Sequence, residues 1–123
     1  VQNHVLVVDD EVALCEMLSL YLSHKGFSVT TAHAIEEAME RLEENSFEFS
    51  VVILDLNLAG QDGLEVLRFV KGRKPKLPII IFTGLDVDEN LIKKCLADRA
   101  NGFIRKTDGL DKLFTEVQRH LRK

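Results

Sequence analysis

Three short apolar runs constrain the fold of this chain more than any other feature. Val5-Leu6-Val7-Val8, Val51-Val52-Ile53-Leu54 and Ile79-Ile80-Ile81-Phe82 are rich in β-branched side chains, and no polar residue interrupts them. Runs of this length predict strands. A strand that is apolar on both faces must be covered on both, which places it inside a parallel sheet with helices above and below. Two further segments suit sheet edges. Phe27-Ser28-Val29-Thr30-Thr31 alternates apolar and polar residues, and Gly102-Phe103-Ile104-Arg105 is short and ends in charge.

Helical periods lie between these runs. Leu14, Met17, Leu18, Tyr21 and Leu22 recur at i, i+3, i+4, i+7 and i+8, and Ile35, Ala38, Met39 and Leu42 do so over a shorter span. Leu110, Leu113, Phe114, Val117 and Leu121 make a further stripe, and 63–72 and 88–98 are amphipathic but less regular. Gly26 is expected to stop the first helix, because it tolerates a left-handed backbone. Asp86 with Glu89, and Asp108 with Asp111, are expected at the cap and first turn of the last two helices. Five strand–helix units in strict alternation predict an α/β fold with one five-stranded parallel sheet. Three central and two edge strands fit the doubly wound order 2-1-3-4-5, with right-handed crossovers placing helices on both faces. In that order the chain reverses between the first and third strands, and ligands bind outside the carboxyl ends of the strands at such a point.

Composition narrows the functional class. The 123 residues suit a single domain over 1–123. Lys and Arg total 16 against 20 Asp and Glu, giving a net charge of −4. A nucleic-acid-binding module would normally be basic, so no direct nucleic-acid contact is expected. The apolar runs are far too short to span a membrane, and no basic start leads into an apolar stretch, so no signal peptide is expected. Cys15 and Cys95 are far apart within helical patterns and read as reduced core residues of a cytoplasmic protein. The chain opens on Val, not Met, so a processed chain or a segment of a longer protein is expected.

The residues following each strand carry the chemistry. Asp9, Asp10 and Glu11 follow the first strand, Asp55 the third, Thr83 and Gly84 the fourth, and Lys106 the fifth; the second offers only Ala32 and His33. Carboxylates converging at the switch point repel one another, and either hold a proton or recruit a cation. Mg²⁺ is the natural choice, since it takes one or two carboxylates and keeps waters for a phosphate oxygen. Lys106 and the Thr83 hydroxyl would then receive a second negative group. Phosphoryl transfer needs mainly positioning and charge neutralisation, and an ionised Asp can itself accept the phosphoryl group. Each residue also has a plain structural role available. An Asp pair caps helices, a Thr after a strand serves turns, and a Lys near an edge guards it against pairing. Their meeting at one end of one sheet is what points to a site.

VLVVDDE at 5–11, VVILDLNLAGQDGLEVL at 51–67, IIIFTG at 79–84 and GFIRK at 102–106 resemble the receiver domain of two-component response regulators, over essentially the whole chain. The resemblance implies a flavodoxin-like fold and a switch. The phosphoryl group would pass from a histidine kinase or phosphotransfer protein to Asp55, with Mg²⁺ as cofactor. Asp10 matches the direct metal ligand, with Asp55 and the backbone carbonyl of Asn57 beside it, and Asp9 matches the acid that holds metal-bound water. Thr83 matches the switch hydroxyl, Lys106 the lysine that contacts the phosphoryl group, and Phe103 the aromatic switch position. The face formed by 88–122 would meet an output domain, a partner or, on phosphorylation, a second copy. No metabolic reaction is implied beyond self-catalysed phosphoryl transfer and autodephosphorylation.

Two positions depart from the family pattern. Ala59 and Thr107 stand where the family usually has Pro. The Lys106–Thr107 peptide is therefore expected to be trans with a displaced loop, or else strained. Two other functions fit parts of the pattern: a Mg²⁺-dependent phosphohydrolase and a degenerate receiver that only binds partners. A flavodoxin-like cofactor carrier fits poorly, because the acidic run 9–11 would repel a phosphate.

Overall fold

The computed structural model describes residues 3–44, 48–84 and 88–121. The elements in chain order are β1 (His4–Val8), α1 (Val12–His24), β2 (Ser28–Ala32), α2 (Ile35–Glu43), β3 (Val51–Leu54), β4 (Asn57–Leu58), β5 (Gln61–Asp62), α3 (Leu64–Arg73), β6 (Ile79–Thr83), α4 (Glu89–Ala97), β7 (Gly102–Arg105) and α5 (Leu110–Leu121). The main sheet is parallel, in the order β2-β1-β3-β6-β7. This is the expected 2-1-3-4-5 order, with the short β4 and β5 set apart as an antiparallel hairpin. All three apolar runs are central strands, and β1, β3 and β6 are buried almost throughout.

Alternation along the central strands builds two cores. Leu6, Val8, Val52, Leu54, Ile79 and Ile81 face one side, where α2, α3 and α4 cover them. Val5, Val7, Val51, Ile53, Ile80 and Phe82 face the other, under α1 and α5. Neither face could remain apolar without its helices, which is why an all-apolar strand needs this layered arrangement.

Helix ends agree with the sequence in part. Gly26 adopts φ 95°, its N–H donates to Ser23 O, and the N–H of Phe27 donates to Leu22 O, which together close α1 in a Schellman motif. Within α1, however, Met17 is 49% exposed, and Cys15, not Met17, joins Leu18 and Leu22 in the core. Leu14 and Tyr21 pack against that core as the period predicts, so within the stripe it is Met17 that faces solvent, and Cys15 fills the core beside Leu18. Asp86 lies outside the described residues; α4 is capped by Asp88, whose carboxylate accepts from the N–H of Leu91. Asp108 does not cap α5. It closes a 3₁₀ turn over Lys106–Asp108 by accepting from the N–H of Arg105, and Gly109 precedes the helix. Asp111 does stand in the first turn of α5.

Among the described residues no helix is long and apolar enough to cross a membrane. Both cysteines are free and buried.

Candidate functional site

Ladder bonds at the sheet's carboxyl end place the site. The N–H of Asp9 donates to Ala32 O, tying the residue after β1 to β2, and the N–H of Asp55 donates to Val8 O, tying the residue after β3 to β1. Two acids are thus fixed side by side on adjacent strands, and both are buried. From beyond β7, Lys106 reaches across to them. Its Nζ lies 2.9 Å from Asp9 Oδ2, 3.2 Å from Asp55 Oδ2 and 2.7 Å from Glu11 Oε1. The lysine stem runs over Gly84, where a Cβ would stand 3.5 Å from Lys106 Cδ. Thr83, at the end of β6, is fully buried and pairs with Arg105 in the sheet register.

Gly63 supports Asp55 from behind. Its N–H donates to Leu56 O, and a Cβ on Gly63 would collide with the backbone carbonyl of Asp55. This close approach explains why glycine starts α3, although its φ of −62° is open to any residue. Backbone donors hold the acids in turn: the N–H of Glu11 to Asp9 Oδ1 at 2.9 Å and the N–H of Asn57 to Asp55 Oδ1 at 3.4 Å.

The electrostatics follow from burial and crowding. Burial raises the Asp9 carboxyl above the usual range, opposed by its bonds to the Glu11 N–H and Lys106. Burial alone would lower the Lys106 ammonium, but Glu11, Asp9 and Asp55 together hold it above the ordinary lysine value. Beside the cluster, the buried Cys15 thiol is pushed up to about 12, chiefly by burial, so it stays protonated and inert at neutral pH. One oxygen each from Asp9, Glu11 and Asp55 lies within 4.8 Å of the others. An all-oxygen donor set of this charge fits a hard divalent cation such as Mg²⁺.

The sequence profile of the response regulator receiver domain matches residues 5–118. The chain belongs to this family. As a receiver domain it resembles the transcriptional regulatory protein YkoG of Bacillus subtilis, at 31% identity over 98% of this chain and 52% of that protein. It also resembles a cyclic di-GMP phosphodiesterase of Thermotoga maritima, at 34% identity over 96% of this chain and 31% of that protein. The receiver domain thus spans about half the length of the first relative and about a third of the second. Among solved structures, response regulator TrrA of Thermotoga maritima, in complex with Mg²⁺ and BeF, superposes with a TM-score of 0.84 at 29% identity, covering 98% of this chain and all of that one. A two-component response regulator of Clostridium difficile superposes at 0.90, with 24% identity and 98–99% coverage of both chains, and shows the shared fold.

The structure brings Asp9, Asp55, Thr83 and Lys106 to one end of the receiver sheet, as the sequence predicts. Asp10 stands apart from the Asp9–Glu11–Asp55 cluster. It is exposed, and its Oδ2 accepts from the N–H of Ala59 at 3.0 Å. Asn57 opens β4, with its side-chain oxygen accepting from the N–H of Gly60. Phe103 is half-buried and packs on the α2–α3–α4 side of the sheet. The Lys106–Thr107 peptide is trans, since no cis bond occurs among the described residues, and the lysine nevertheless reaches the acids. Glu11 is expected from the sequence only as one of the acids past β1, with no partner assigned, and Gly63 is not expected at the site at all. The acidic run 9–11 was the available signal for the first. For the second there was none, because its role is a close approach between backbones.

Proposed function

We propose that this receiver domain is a phosphoacceptor switch in which Asp55 takes a phosphoryl group in a Mg²⁺-dependent reaction. The observation that carries this reading is the Lys106 ammonium, which joins two buried carboxylates from adjacent strands at the switch point of the sheet. An Asp55 oxygen attacks phosphorus in the donor, a phosphohistidine of a histidine kinase or phosphotransfer protein. The P–N bond breaks, the imidazole leaves with its electron pair, and an acyl phosphate forms on Asp55. Lys106 exchanges its contact with the Asp55 carboxylate for one with a phosphoryl oxygen. The Thr83 hydroxyl, one strand over, donates to a second.

Asp10, Asp55 and the Asn57 carbonyl would hold the cation, with Asp9 acting through water. When bound, Mg²⁺ supplies the charge neutralisation that lets an anionic donor approach the anionic cluster. TrrA, a structural relative solved with Mg²⁺ and BeF, supports this cofactor. We assign the output to the face formed by 88–122, with Phe103 as the residue that responds. The partner is an output domain, a separate protein or a second copy of the receiver. The chain acts as one domain over 1–123, in the cytoplasm.

The test is intact-mass measurement after incubation with acetyl phosphate. One phosphoryl mass is expected on the parent with Mg²⁺, and none on Asp55→Asn or in excess chelator. Full labelling of either control overturns the assignment.

A further inference from the structure

The β4–β5 hairpin turns on two residues, Ala59 and Gly60, and both have positive φ, 54° and 82°. Two-residue hairpin loops favour this backbone, because its twist matches that of the strands. For Ala59 the conformation is unfavourable, since a Cβ in the left-handed region crowds its own carbonyl. The strain has a visible correlate. The turn aims the N–H of Ala59 at Asp10, and Oδ2 accepts it at 3.0 Å. Asp10 is the one acid of the run 9–11 that is absent from the cluster formed with Asp55.

The charges favour that placement. Asp9, Glu11 and Asp55 already share a single ammonium, that of Lys106. A fourth carboxylate moving inward would meet three like charges against one cation, and that repulsion opposes the move. The N–H of Ala59 offers Asp10 another partner outside the cluster. A divalent cation reverses the balance, because it supplies the charge that an inward Asp10 lacks.

Resting on the function proposed above, we infer that the backbone N–H of Ala59 is a positioning group. It holds Asp10 out of the acidic cluster until a divalent cation draws the carboxylate in, and so sets the affinity of the site for Mg²⁺. The bond must be given up on loading, so removing the donor tightens binding. At an exposed position, a hydrogen bond to a charged acceptor is expected to change the dissociation constant roughly threefold to tenfold.

The experiment uses the whole chain and MgCl₂ alone. Replacing Ala59 by its α-hydroxy acid turns the amide into an ester, which removes the N–H and keeps the side chain and the turn. Calorimetric titration is expected to show Mg²⁺ bound threefold to tenfold more tightly by the ester protein. No such gain is expected when Asp10→Asn is also present, nor in Ala59→Gly, which keeps the donor. In the unmodified protein, the Ala59 amide resonance is expected to shift with the same midpoint as the calorimetric titration, a readout that needs no variant. An ester protein with unchanged or weaker affinity overturns the inference, as does an Ala59 amide that is unmoved at saturation. Either result leaves the phosphoacceptor reading standing if Asp55 is still labelled. An unmodified protein that neither binds Mg²⁺ nor is labelled overturns both.

Discussion

Lys71 shows what a single buried charge does outside the site. It is only 4% exposed, and no carboxylate pairs with it among the described residues. Its ammonium donates instead to Leu77 O at 2.9 Å, Asn101 Oδ1 at 2.7 Å and, more weakly, Pro75 O at 3.4 Å. The same Asn101 oxygen accepts from the N–H of Ile79, so one lysine ties the end of α3 to the starts of β6 and β7. Lys71→Met is expected to lose about 1–2 kcal/mol in urea unfolding at neutral pH, since carbonyls satisfied by a charged donor lose it. Burial, and then nearby Arg99, lower this ammonium below its ordinary 10.5. Between the lowered value and 10.5 the unfolded chain binds more protons than the folded one, so stability rises with pH across that window. The parent should therefore gain on Lys71→Met as pH climbs towards 10.5. A pH-independent difference would contradict a buried ammonium at this position.

At the scale of elements, the segment between β3 and α3 does most to shape the site, and the sequence showed only part of it. The apolar run 51–54 announced β3, and Asp55 followed from it as the first residue past the strand. The hairpin of β4 and β5 was not legible, because two-residue strands carry no period and Ala-Gly is an uncommon loop where Asn-Gly is the usual signal. Gly63 was equally silent. Its requirement arises from the Asp55 carbonyl and Leu56 Cα packed behind it, the latter only 2.9 Å from where a Cβ would stand. Gly63→Ala is expected to destabilise the fold by about 1–3 kcal/mol, as overpacking does. It should also slow labelling of Asp55 by acetyl phosphate, because relief of the clash moves the backbone that carries the acid. Thermal unfolding and labelling rate measured together check this. A variant that loses stability with an unchanged rate would separate Gly63 from the site.

Across the whole molecule, the proposed switch requires a route from Asp55 to the 88–122 face. Thr83 and Phe103 lie at neighbouring strands: Thr83 pairs with Arg105, and Phe103 with Ile81. On the function proposed above, a phosphoryl group on Asp55 would add about −1.5 to −2 of charge and draw in both the Thr83 hydroxyl and the Lys106 ammonium. Space opened beside β6 would admit the Phe103 ring, held there by packing because Phe has no hydroxyl to bond. Thr83→Ala is expected to leave Asp55 phosphorylation largely intact and to uncouple Phe103 from it. Comparing Phe103 resonances in apo and phosphoryl-mimic forms checks this, and a full response in the variant would show that Thr83 does not carry the signal. The layered α/β architecture, the strand order and the residues past each strand were legible in the linear pattern. Those depend on local hydrophobic period and on chain connectivity, which a linear pattern records. What the linear pattern leaves open is that Met17 turns out to solvent, that Glu11 shares Lys106 with the buried acids, and that Asp10 faces Ala59. These are contacts between segments distant in sequence or choices of side-chain direction, and they are settled by which neighbours compete for the same space and charge.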